Sequence, residues 1–260
     1  SFLNAGIAVV NHFGNKHSVE LLDTFDSKMN SSAAKLGLHS EEAYDMIKQG
    51  LVILLGALAC HFDSSNSNVK LILEQLIGAL DTPSEIVQRS VSERLPPLIK
   101  ILSKDKEEME RLVTKQLAYL KEAENFGKRK GAAYGLAGIV KGLGMAALKN
   151  YDVINVLKSY IEDKKDQQAR EGALMGFACL SERLGRLFEP YIIHILPLLL
   201  LAFGDGIIAV RQAAQEASQV IMGKLSTQGM RLVLPALLKG LDEIAWRTKQ
   251  GSVQLLGTMA

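Results

Sequence analysis

The sequence predicts an all-α solenoid of about six helical hairpins, stacked at a period near 41 residues into a right-handed superhelix. Three observations predict it. First, a short signature recurs six times: a basic or amide residue, then small residues one to three positions later. Its first members are Lys48, Gln88, Arg129, Arg170, Arg211 and Lys249, so the steps are 40, 41, 41, 41 and 38. Self-similarity at this spacing marks stacked helical pairs that each bury a face on their neighbours. Second, the 260 residues are 48% hydrophobic and 22% charged, which is enough apolar material for a long continuous core. Third, turn residues divide the best-formed units into two helical stretches each.

The approximate units are 1–14 (partial), 15–62, 68–103, 106–147, 150–186, 190–225 and 228–260 (truncated). Both ends look cut, as in an internal fragment of a longer array. Residues 1–10 are expected to form the trailing second helix of an incomplete unit. Asn11–Lys16 and Met29–Leu38 carry breakers and are expected to be loops. In the unit 68–103, Leu95-Pro96-Pro97 is expected to end the second helix after Arg94. Lys104–Arg111 is expected to be a solvated charged face. The glycines Gly131, Gly135, Gly138 and Gly142 fall on one face of a helix, which lets a neighbouring backbone approach closely. The last two units show the plan most plainly. Pro190–Phe203 is an apolar helix, Gly204-Asp205-Gly206 a turn, and Ile207–Lys224 a second helix. Then come Gln228–Gly240, a turn at Asp242-Glu243, and a second helix from Ile244 onward.

Two further features keep register with the signature. Pro197 and Pro235 each precede the basic residue of their unit by 14 positions, which suggests a bend belonging to the repeat. Asp163, Asp205 and Asp242 precede it by six or seven. Such a turn acid can cap the second helix or form a ladder with basic residues of adjacent units.

Catalytic chemistry is not evident. The five histidines do not pair with Cys, Asp or Glu at zinc-ligand spacing. His194, within an apolar stretch, is expected to be a core or interface histidine. There is no Gly-x-Ser-x-Gly elbow, no phosphate-binding glycine loop and no nucleophile–base spacing, so neither an enzyme nor a cofactor is expected. Cys60 and Cys179 are far apart in apolar stretches and are expected to be buried, reduced thiols of a cytosolic or nuclear protein. The apolar run Tyr191–Phe203 is too short to span a bilayer, and no membrane partner is expected.

Net charge is only +2, but residues 121–149 hold six basic residues against two acidic ones. Lys128, Arg129, Lys130 and Lys141 are therefore the candidate contacts for RNA phosphate or an acidic protein segment, the alternative being that Arg129 is the structural basic residue of its repeat and its neighbours are solvated. Aromatic residues make up 6% of the chain and do not interleave with the basic stretch, so base stacking is not expected.

The unit of apolar helix, internal Pro, turn Asp, Val-Arg and small residues resembles the HEAT repeat. More narrowly, Lys128–Leu143, Gln168–Leu184 and Trp246–Gly257 resemble the central part of the general-control translational activators, large ribosome-associated HEAT proteins. That part is similar to the HEAT region of elongation factor three. The resemblance implies a non-catalytic, cytoplasmic scaffold. The family helps a starvation-responsive kinase act on the alpha subunit of translation initiation factor two, and its central segment contacts ribosomes and an ABC-type ATPase. Its kinase-docking residues belong to a more C-terminal part, so none is carried onto this chain. The alternative is a HEAT scaffold from another system, a nuclear-transport receptor or a phosphatase scaffold.

Overall fold

A computed structural model describes residues 2–32, 36–37, 39–63, 66–242 and 246–259. Among these the regular structure is helical throughout. The first unit pairs the distal half of α1 (Phe2–Met29) with α2 (Glu41–Leu58). Next come α3 (Ser67–Gly78) with α4 (Glu85–Leu102), and α5 (Lys106–Glu122) with α6 (Phe126–Leu143). A single turn, α7 (Ala146–Asn150), leads to α8 (Val153–Glu162) and α9 (Gln167–Leu184). The last pairs are α10 (Glu189–Phe203) with α11 (Ile208–Met222), and α12 (Thr227–Gly240) with α13 (Trp246–Met259). The chain is an α-solenoid of stacked hairpins.

Side-chain caps fix where many helices begin. Ser40, Asp105, Asn125, Asp166 and Ser226 each accept a hydrogen bond from a backbone N–H in the first turn of the helix that follows. The second helices α2, α4, α6, α9, α11 and α13 pack on one another in sequence. The first helices α5, α8 and α10 touch one another at fewer places. From α5 to α10 the side of the second helices is therefore tight and the side of the first helices splayed, while α10 packs closely on α12.

The small residue two positions after each signature residue makes the tight side possible. A Cβ on Gly131 would fall on the carbonyl oxygen of Leu80, and one on Gly172 on that of Leu120. Both carbonyls belong to the end of the first helix in the preceding unit. Gly50 holds the same place in α2, where a Cβ would meet nothing within 4 Å.

Several expectations need correction. Asn11–Lys16 is not a loop. It lies inside α1, whose only non-helical residue is His17 (φ −125°, ψ 28°). Gly14 and Asn15 serve packing there. A Cβ on Gly14 would strike the His61 ring, and Asn15 Oδ1 lies 2.8 Å from His61 Nδ1. Of the expected loop Met29–Leu38, Met29 ends α1, and residues 33–35 and 38 lie outside the described residues. Glu243, expected in the last turn, and Ile244, expected to begin the last helix, also lie outside them.

The double proline does not end α4, which runs through Pro96 and Pro97 to Leu102. Each proline forfeits a backbone bond, at about 3 kcal/mol. Leu95, Leu98 and Ile99 are fully buried on the same turns, and burial of each such side chain contributes about 1.5–3 kcal/mol, enough to hold the helix. Pro197 and Pro235 likewise sit inside undivided helices, exposed on the outer side. His194 is exposed, not in the core, and Cys60 is exposed in the turn that ends α2.

Glu41–His61 and Gln167–Phe203 are long and apolar enough by composition to cross a membrane. In this fold the second stretch is divided at Gly185 into α9 and α10, and both stretches bury apolar faces against neighbouring helices.

Candidate functional site

The signature residues form a ladder. Lys48 donates to Met29 O at the end of the first helix in its own unit. Gln88, with an amide in place of a charge, donates to Thr82 O (2.6 Å), Leu80 O (3.2 Å) and Gly127 O of the next unit (2.8 Å). Arg129 donates to Ala123 O (2.7 Å) and Glu124 O (3.2 Å), and reaches forward to Glu171 (2.5 Å). Arg170 donates to Asp163 O (2.7 Å) and forks onto Asp205 of the next unit at 2.8 and 3.2 Å. Arg211 donates to Asp205 O (2.7 Å) and Gly206 O (3.1 Å). Each long donor thus satisfies carbonyls at the turn inside its own hairpin, and three of them tie that turn to the next unit.

The turn acids share the work. Asp205 pairs with Arg170 and also accepts from Ile207 N (2.9 Å). Asp163 accepts from Lys165 N and Asp166 N and faces Lys121 at 3.8 Å, while Asp166 caps α9. Asp242 and Lys249 are both exposed.

This geometry separates the four candidate contact residues. Arg129 is 6% exposed and committed to Glu171 and two carbonyls. Lys130 is partly buried and faces Glu85 at 3.6 Å. Lys128 and Lys141 are exposed. They lie 13 residues apart on α6, which at about 100° per residue puts them on different sides of the helix. The basic run is therefore not one patch, and only Lys128 and Lys141 stand open to solvent.

Lys130 belongs to a polar network on the tight side. Tyr134 donates to Glu85 (2.7 Å), and Arg89 of α4 bonds Tyr134 (3.1 Å) and Glu85 (3.3 Å). Arg89 also pairs with Glu182 of α9, and Arg183 of α9 lies 3.7 Å from Glu93 of α4. Two ion pairs therefore link α4 to α9, the helices on either side of α6. Burial works against the charged form of Glu85. The Tyr134 hydrogen bond with Lys130 and Arg89 outweighs it, and the carboxyl is lowered from its usual range. Burial, then nearby Cys179, then the bond to Glu85 keep the Tyr134 phenol protonated far above its usual range. Sequence reading missed this network, because Arg89 and Glu182 are 93 positions apart.

Cys179 lines the same region. Burial pushes its thiol up to about 12, so almost none is thiolate at neutral pH. Native protein is expected to react with DTNB at Cys60 alone, and at Cys179 only after unfolding. Two fast equivalents in the native state would contradict the packing around α9. Among the described residues no group of three or more His, Cys, Asp or Glu could hold a metal ion.

Residues 129–260 match the family described as EF3 N-terminal HEAT repeat, and residues 1–60 match the HEAT repeats described as stalled ribosome sensor GCN1. Over nearly its whole length the chain is similar to curated proteins. It is 46% identical over 259 residues to the eIF-2-alpha kinase activator GCN1 of Dictyostelium discoideum, covering 100% of this chain and 9% of that protein. It is 45% identical over 258 residues to the stalled ribosome sensor GCN1 of Homo sapiens, covering 99% and 9%. Protein ILITYHIA of Arabidopsis thaliana is 46% identical over 258 residues, again covering 99% and 9%. The chain spans about a tenth of the length of these relatives. With its stacked hairpins and capped ladder, it belongs to the GCN1 family of HEAT-repeat proteins, in the stretch that shares its repeats with the N-terminal HEAT region of elongation factor 3.

Proposed function

We propose that this segment is a non-catalytic scaffold within a cytoplasmic, ribosome-associated regulator. That regulator helps activate the kinase that phosphorylates translation initiation factor two alpha during amino-acid starvation. In this reading the segment offers a surface to ribosomes, to an ABC-type ATPase partner, or to both. The observation that carries it is the full-length similarity to proteins named for kinase activation and for sensing stalled ribosomes. That similarity favours it over a transport receptor or a phosphatase scaffold. The construction of the chain is in keeping with it, since the described polar clusters are ladders and staples between helices.

Within this reading Lys128 and Lys141 are the contacts for ribosomal phosphate or an acidic surface, and Arg129 holds the fold. Co-sedimentation with purified ribosomes across a salt series tests it. The chain is expected to pellet with ribosomes at low salt and to dissociate as salt rises. Lys128→Glu with Lys141→Glu is expected to weaken binding about tenfold or more, because each lost phosphate contact also removes released counterions. Absence of binding at low salt would remove the ribosome contact and leave the protein partner.

A further inference from the structure

An open groove of about 750 Å³ lies at the turn edge between the units 150–186 and 190–225. It follows from the splay described above. α9 and α11 pack along their length, while α8 has only ten residues and meets α10 at few places. The walls are aliphatic: Ile161, Leu198, Leu201 and Ile207. Leu201 is 67% exposed and Ile207 39%, in a chain where most other leucines of α10 are buried or half-buried. Lys164 and Lys165 stand exposed on the rim beside Glu162, while Asp163 and Asp166 of the same turn are engaged by backbone N–H groups and, for Asp163, by Lys121. At the floor the charges of Arg170 and Asp205 neutralise each other. The groove is thus apolar within and presents two exposed ammonium groups at its edge.

We propose that this groove binds a segment of a protein partner in which two neighbouring aliphatic side chains are flanked by carboxylates. The aliphatic pair covers Leu198, Leu201 and Ile207, and the carboxylates meet Lys164 and Lys165. Charge complementarity selects an acidic segment, and the apolar walls select against nucleic acid. The lining holds no aromatic ring for a base to stack on, and its arginine is already paired with Asp205. The site is separate from Lys128 and Lys141 and does not depend on ribosome contact through them.

The test uses the methyl-labelled chain in NMR titrations with three probes. These are a synthetic peptide of two adjacent leucines flanked by glutamates, its lysine-flanked counterpart, and a short oligouridylate. The acidic peptide is expected to shift the methyls of Ile161, Leu198, Leu201 and Ile207. Its affinity is expected to fall about tenfold in Leu201→Ser, and similarly in Lys164→Glu with Lys165→Glu. These side chains are exposed, so thermal unfolding checks that the variants keep the fold. Equal binding of the lysine-flanked peptide, shifts confined to other methyls, or no shift at millimolar peptide would each overturn the proposal. Shifts at these methyls with oligouridylate and none with the acidic peptide would replace it with an RNA site.

Discussion

Gly172→Ala is expected to destabilise the array by about 3 kcal/mol, the upper end for overpacking a filled site. Gly50→Ala is expected to stabilise it by about 1 kcal/mol, the ordinary gain of alanine over glycine inside a helix. The two glycines hold the same place in their units and differ only in what faces them. A methyl on Gly172 would collide with Leu120 O, a backbone atom that cannot step aside without moving the end of α5. A methyl on Gly50 meets nothing. Urea unfolding of the two variants beside the parent decides it. If Gly172→Ala leaves the midpoint unchanged or raises it, α5 and α9 are not in the close register described, and the small residue of the signature needs another explanation.

Glu171→Leu is expected to cost about 3–5 kcal/mol, because it strands the Arg129 guanidinium without its carboxylate in a buried site. The side chains of the pair are only 7% and 10% exposed, so water cannot take over. Arg129→Met alone is expected to be costly for a second reason: the carbonyls of Ala123 and Glu124 lose their donor along with Glu171. Combining Arg129→Met with Glu171→Leu removes both charges and is expected to recover much of the loss, since replacing a buried pair by apolar residues is often near neutral. A double-mutant cycle measures the coupling. Single variants whose losses simply add in the double would show that the two side chains do not depend on each other.

Much of the fold could be read from the sequence because the solenoid repeats its constraints. A basic or amide side chain reaches the carbonyls of the hairpin turn at Lys48, Gln88, Arg129, Arg170 and Arg211, and a small residue follows each, so the signature traces the units in order. Asp205 was legible as a ladder acid because it stands at a fixed offset before Arg211. Glu171 was not, because it is adjacent to Arg170 and serves the unit before. Local propensity misled where packing overrules it. Pro96 and Pro97 are carried within α4 by Leu95, Leu98 and Ile99, and Gly14 with Asn15 pack against His61 inside the first segment of α1, which kinks only at His17. The basic run at Lys128–Lys130 looked like a patch because adjacency in sequence hides direction. On α6 it distributes one residue to solvent, one to a buried pair and one to the Glu85 network. The groove beside Lys164 was invisible for a related reason, since it is made by the divergence of two helices that no local motif encodes.

The two ion pairs that link α4 to α9 have a mechanical consequence. Arg89–Glu182 and Arg183–Glu93 act as tie rods across the inner layer, whose glycine contacts leave it no slack for compression. The outer layer of α5, α8 and α10, in loose contact, is the compliant one. Bending that closes the tight side is expected to be opposed by the glycine contacts, and bending that opens it to part these two ion pairs. Each tie is partly exposed to water and contributes at most about 1 kcal/mol, so salt is expected to loosen the ties modestly while the continuous apolar core holds the stack.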